Sequence, residues 1–272
     1  MSCVKRIALA ASVCVCSLLT FHTVSAADAD KFDIVGLTLG MTPEDALKAL
    51  RAHGVNEESI NESRLAYNYS DGLKHDYRTE DFTYMIVGHV DGFVDGKRRT
   101  DTFNLFFSPP PEGGRLVAVS RTIENNVDPV TRGQFRDALV GKYGEPDVKD
   151  SATVHWKFGG GTENCFTSIP NHIGFGIPGK DSSILGMIFA RSGNQYMLDR
   201  FSNRRVTSLD DCASMLEYRI GLVDDQPATR VSAQMIDVKG WAKAELAASE
   251  WVEGLRQDAV RKREGAGNKP AL

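Results

Sequence analysis

His155, beside Trp156, has Glu163 and His172 downstream of it. A histidine held near a carboxylate can move a proton in hydrolysis, once a fold brings the two within hydrogen-bond reach. Neither Gly-x-Ser-x-Gly nor His-Glu-x-x-His occurs in the chain, so a hydrolase here would need a site dispersed along the sequence. His155, Glu163 and His172 are its candidates. A second motif, Gly174-Phe175-Gly176-Ile177-Pro178-Gly179-Lys180-Asp181, fits Gly-x-Gly-x-x-Gly and approaches the phosphate-cradling loop. That chemistry needs a helix after the loop and a hydroxyl for magnesium. Here Asp181 replaces the hydroxyl, and Ile184 to Ala190 reads as a strand. The segment is therefore expected to be a glycine-rich turn, with no nucleotide cofactor. His89, Asp91 and Asp95 form the nearest metal-like cluster, but without calcium-loop spacing. It reads as a polar turn, and no metal is expected.

The compartment narrows these readings. Lys5 and Arg6 precede the apolar run Ile7 to Phe21, and Val24-Ser25-Ala26 supplies small residues before the polar Ala27-Asp28-Ala29-Asp30. This is the pattern of a secretory signal peptide over residues 1–26, cleaved near Ala26. The apolar run is about 15 residues, short of the roughly 20 a spanning helix needs. Cleavage would remove Cys3, Cys14 and Cys16 and leave Cys165 and Cys212. Two cysteines in an oxidising compartment are most simply a disulfide, closing a loop of about 48 residues worth on the order of 4 kcal/mol. The expected location is the bacterial periplasm.

Without residues 1–26 the charge is near −6, from 30 basic and 36 acidic residues. That balance argues against nucleic acid, which needs a basic stripe. The elements follow from caps and periodicity. Thr42-Pro43-Glu44-Asp45 opens a helix whose apolar side is Ala46, Leu47, Ala49 and Leu50, and Gly54 stops it. Asp128-Pro129 repeats the start, and Tyr143-Gly144-Glu145-Pro146 the stop. Strands are expected at Leu65 to Tyr69, Phe82 to Val90, Thr102 to Phe107 and Leu116 to Ile123. A second set spans Thr153 to Phe158, Cys165 to Ile169, Ile184 to Ala190, Met215 to Ile220 and Val231 to Val238. Asp91-Gly92, Asp95-Gly96 and Pro109 to Gly114 mark turns. The pattern predicts an α+β protein of two tandem modules, each a helical layer over an antiparallel sheet, plus a C-terminal helix. The first module covers 27–126 and the second, with the disulfide and final helix, 127–263; residues 264–272 read as a disordered tail.

At Gly40-Met41-Thr42-Pro43 and Tyr143-Gly144-Glu145-Pro146 the chain resembles exported bacterial proteins of the β-lactamase-inhibitor-protein-like fold. The resemblance implies tandem helix-plus-sheet modules used as non-catalytic binding scaffolds, and carries no catalytic residue across. The expected function is a periplasmic, non-catalytic binding or envelope-associated protein; the alternative is the exported hydrolase. Its partner would be another periplasmic or envelope protein, met through a sheet face or the loops Gly92 to Arg99 and Pro109 to Gly114. The final helix, about Gly240 to Arg263, carries an apolar stripe that includes Trp241 and Trp251. Those tryptophans either dock the helix on its own sheet or anchor a partner.

Overall fold

A computed structural model describes residues 31–73, 75–150, 152–160 and 214–266. Residues 1–26, the glycine-rich motif, Cys165, Cys212, Glu163 and His172 lie outside the described residues, as do the expected strands at 165–169 and 184–190. The fold is α+β, with a large antiparallel sheet. In chain order the first elements are helix α1 (Pro43–Ala52) and strands β1 (Ile60–Leu65), β2 (Asn68–Ser70), β3 (Asp76–Arg78), β4 (Phe82–Val94), β5 (Lys97–Phe107) and β6 (Leu116–Asn125). Helix α2 (Arg132–Tyr143) follows. Strands β7 (Val148–Lys149), β8 (Thr153–Phe158), β9 (Ser214–Arg219) and β10 (Arg230–Ile236) come next, and helix α3 (Val238–Gly265) is last. Eight strands form one sheet in the order β1-β4-β5-β6-β10-β9-β8-β7, while β2 and β3 make a separate hairpin.

The helix boundaries have local causes. Thr42 accepts the Asp45 N–H at the start of α1, Pro43 fills the first turn, and Gly54 takes φ +102° beyond its end. The second helix begins at Arg132, later than the Asp128-Pro129 start expected. Thr131 and Gln134 there form a reciprocal capping box. The third starts at Val238 because Asp237 accepts the Gly240 N–H at 2.8 Å, which cuts β10 short at Ile236.

The sheet's two faces follow from alternation. On one face, Ile86, Phe103, Leu105, Val119, Met235, Leu216 and Trp156 are buried in the main core with Leu50 of α1 and Tyr143 of α2. Gly88 shares this face; a Cβ there would sit 3.1 Å from Leu50 Cδ1 and 3.2 Å from Val55 Cγ1. The missing side chain lets α1 lie close over β4. Helix α2 covers β8 and β9 through Tyr143–Trp156 and Phe135–Tyr218 ring contacts, and Trp156 Nε1 donates to Gly144 O at 3.0 Å. The opposite face carries α3, which contacts β6 and β2. Its Ala248 and Val252 are buried with Tyr67, and Trp251, Tyr69 and Phe82 pack around them. No helix among the described residues is long and apolar enough to cross a membrane.

Candidate functional site

On the helix-covered face, the sheet is not filled evenly. Between the C-terminal end of α1 and the first turn of α2 lies a cleft of about 480 Å³ over β4, β5 and β6. Strand register places its lining in rows. Val90 pairs with Asp101 and Asp101 with Ile123; one row outward, Gly92 pairs with Arg99 and Arg99 with Asn125. His53, just past α1, and Phe135 of α2 close the sides.

The floor is an ion cluster. Arg121 grips Asp101 with two hydrogen bonds, Nε to Oδ1 at 2.9 Å and Nη2 to Oδ2 at 2.6 Å. His53 Nε2 lies 2.8 Å from Asp101 Oδ2. The Arg121 and Asp101 side chains are only 13% and 14% exposed. A planar guanidinium matches a carboxylate in this bidentate way and holds it rigidly. Below them Phe103 receives the Arg121 guanidinium on its face at 5.4 Å and the edge-on His53 ring at 5.3 Å. With three contacts, the Asp101 carboxylate serves as an anchor for its neighbours. His53 also borders a second groove of about 680 Å³, lined by Val35, Gly36, Met41 and Lys48 among others.

Beyond Arg121, Tyr143 and Tyr218 share a hydrogen bond, and burial pushes both phenols up, Tyr143 to about 12. The Tyr143 hydroxyl also donates to Asp33 O at 2.5 Å.

The mouth opens at the end of the sheet where the β4–β5 hairpin turns. Asp95 and Gly96 make that turn with φ of +50° and +74°. The Asp91-Gly92 pair expected to turn is instead inside β4, which runs on to Val94. Gly92 thus becomes a wall of the cleft, where an added Cβ would approach only Arg99 O, at 3.9 Å. Exposed apolar side chains gather at this end: Phe93 and Val94 on the hairpin, Val130 before α2, and Leu222 and Val223 after β9. Backbone hydrogen bonds from Asn126 to Arg98 O and from Asn125 to Thr229 O tie these segments together.

Of the segments singled out by sequence, the expected loop Gly92 to Arg99 borders the cleft through its two end residues, while His155, Trp241, Trp251 and the loop Pro109 to Gly114 lie elsewhere. His155 sits on the opposite face of the sheet, buried, with Nδ1 3.9 Å from Oε2 of its cross-strand neighbour Glu217. Glu163 and His172, its expected companions, are outside the described residues, as are Cys165 and Cys212. Trp241 is fully buried, with Nε1 donating to Glu245 Oε1 at 3.2 Å. Trp251 is half-buried, its ring 6.4 Å edge-on from Tyr67. The loop Pro109 to Gly114 joins β5 to β6 at the sheet end opposite the cleft mouth. His89 lies 3.8 Å from Asp91, which also pairs with Arg98. Among the described residues, no group of three or more His, Cys, Asp or Glu side chains converges on a metal position.

Sequence reasoning missed His53, Asp101 and Arg121. The signal for two of them was phase: Asp101 alternates in step with Phe103 and Leu105, and Arg121 with Val119. Opposite charges in the apolar phase of two consecutive strands mark a paired, buried site. Searches of family profiles, curated proteins and solved structures return no match to this chain.

Proposed function

We propose that this chain is an exported, non-catalytic binding protein and that the cleft between α1 and α2 receives what it binds. The observation that carries this reading is the cleft itself. It is preformed, has apolar walls in Val90, Ile123 and Phe135, and has an oriented polar floor in His53, Asp101 and Arg121. Its volume falls in the range of about 300 to 1,000 Å³ typical of ligand sites. A floor held by its own hydrogen bonds needs no reordering on binding, which lowers the entropic cost of association.

The tandem-module arrangement belongs to the same proposal. Strands β1, β4, β5 and β6 follow α1 in one antiparallel run, and β7 to β10 follow α2 in another, with β6 and β10 joining the two runs. Both helices precede their strands and lie on the same face. This order supports two helix-plus-sheet modules fused edge to edge, as the resemblance to the β-lactamase-inhibitor-protein-like fold implies. Export through residues 1–26, a periplasmic location and a Cys165–Cys212 disulfide complete the proposal. Intact mass with and without reductant tests the staple, and the absence of a two-dalton shift would remove it.

The binding reading is tested with Gly92→Phe, which fills the cleft from a strand position tolerant of aromatics. Wild-type and variant protein are recovered from a periplasmic extract and compared by native mass spectrometry. The wild type should retain a bound species, small molecule or envelope protein, that the variant loses. Equal retention by both, or none by either, would count against the cleft.

A further inference from the structure

One charged side chain at the cleft mouth is left without a partner among the described residues. Arg121 is matched by Asp101, but Arg99, one row outward on the same face, has no such match. Among the described residues, no hydrogen bond or ion pair holds its side chain. Its neighbours across the strands are Gly92, which has no side chain, and Asn125, whose Oδ1 accepts the Val127 N–H at 3.1 Å. Arg99 ends the run Lys97-Arg98-Arg99; Asp91, Asp95 and Asp101 match that run in number, but Asp91 pairs with Arg98 and Asp101 with Arg121. Arg98 points to the other face, where it meets Asp91 at 3.3 Å. Near the end of α1, the Ala49, Leu50 and Arg51 carbonyls accept from the N–H groups of His53, Gly54 and Val55. Inward of Arg99, Val90, Ile123 and Phe135 give apolar side walls above the charge-paired floor of Asp101 and Arg121.

Building on the proposed binding role, we infer that the cleft takes a small monocarboxylate with an apolar body. The carboxylate meets Arg99 at the mouth, and the body lies along Val90, Ile123 and Phe135. A guanidinium binds a carboxylate in two parallel hydrogen bonds, so it distinguishes an acid from its neutral amide. The rigid floor excludes a second anion deeper in, because Asp101 already occupies Arg121.

Isothermal titration of the intact chain with octanoate, octanamide, octylammonium, acetate and the peptide acid acetyl-Val-Phe tests this. Octanoate should bind one to one, octanamide at least tenfold more weakly, and octylammonium and acetate not measurably. Arg99→Gln, at an exposed position that leaves folding intact, should weaken octanoate by about tenfold to a hundredfold and leave octanamide unchanged. Equal binding of octanoate and octanamide, both lost in Gly92→Phe, would overturn the carboxylate assignment while leaving the cleft as a binding site. Binding of acetyl-Val-Phe, itself a small monocarboxylate with an apolar body, supports the assignment where Arg99→Gln weakens it, and binding unaffected by Arg99→Gln would overturn it. If no probe binds while an extract species still distinguishes wild type from Gly92→Phe, the ligand class falls and the binding role stands.

Discussion

Replacing Asp101 by alanine is expected to be among the most damaging single changes in the sheet. Both Asp101 and Arg121 are more than four-fifths removed from solvent, and their bidentate contacts measure 2.9 and 2.6 Å. Deleting the carboxylate leaves the guanidinium in place over Phe103 with no anion, and His53 without its acceptor. Breaking a buried pair in this one-sided way costs roughly 3 to 5 kcal/mol. For a chain of this size, that lowers Tm by on the order of 10 °C. Removing both charges is different. In Asp101→Leu/Arg121→Leu the burial penalty of each ion disappears with its partner, and stability should stay within about 1 kcal/mol of wild type. The assay is urea denaturation followed by fluorescence of the three tryptophans, as a double-mutant cycle whose singles are Asp101→Leu and Arg121→Leu. A coupling above about 2 kcal/mol is expected from that arithmetic. An Asp101→Ala loss under about 1 kcal/mol, or a double variant whose cost equals the sum of the singles, would refute the buried-pair reasoning.

Three further outcomes follow from the packing. Gly88→Ala places a methyl 3.1 Å from Leu50 Cδ1; overpacking of about 1 to 3 kcal/mol, less the backbone-entropy gain, leaves a net loss near 1 kcal/mol in denaturation, whereas a rise in Tm would show that Leu50 yields freely. Trp251→Ala removes a half-buried ring from the Tyr67 and Phe82 cluster and should cost about 2 kcal/mol; unchanged stability would instead assign Trp251 to a partner interface. Alkaline pH should unfold the chain through its tyrosines. The folded pKa of Tyr143, about 12, lies above its ordinary value near 10, and Tyr218 is raised as well. The unfolded state therefore loses these protons first, and the stabilisation, whole below about pH 10, declines as pH rises towards 12. Absorbance at 295 nm should show two tyrosines ionising only as the chain unfolds; their ionisation in the folded protein near pH 10 would contradict this.

Much of the framework was legible in the sequence because its signals are local. Thr42, Pro43 and Gly54 bracket α1 within one stretch, and the alternation of Phe103 and Leu105 marks β5 without reference to any other strand. The second helix was misplaced because Asp128-Pro129 resembles a start, while the operative cap depends on two side chains, Thr131 and Gln134, bonding to each other's backbone. Two Asp-Gly pairs near one hairpin look alike in sequence; only Asp95-Gly96 takes the left-handed conformation the turn needs, which sends β4 on through Gly92. The site was hidden for a different reason. His53, Asp101 and Arg121 are far apart in sequence, and strand register with the seat of α1 over Gly88 brings them together. None belongs to a spaced motif. His155 is next to Trp156 in sequence, yet strand alternation sends it to the other face of the sheet, beside Glu217.

The most direct test of the cleft as the binding site is a chemical-shift titration of the isotopically labelled intact chain with octanoate. The largest perturbations should fall on the Val90 and Ile123 methyls and on the His53 and Arg99 signals, and should vanish in Gly92→Phe. Perturbations centred on Leu73 or Val148, far from the cleft, or unaltered by Gly92→Phe, would contradict the account.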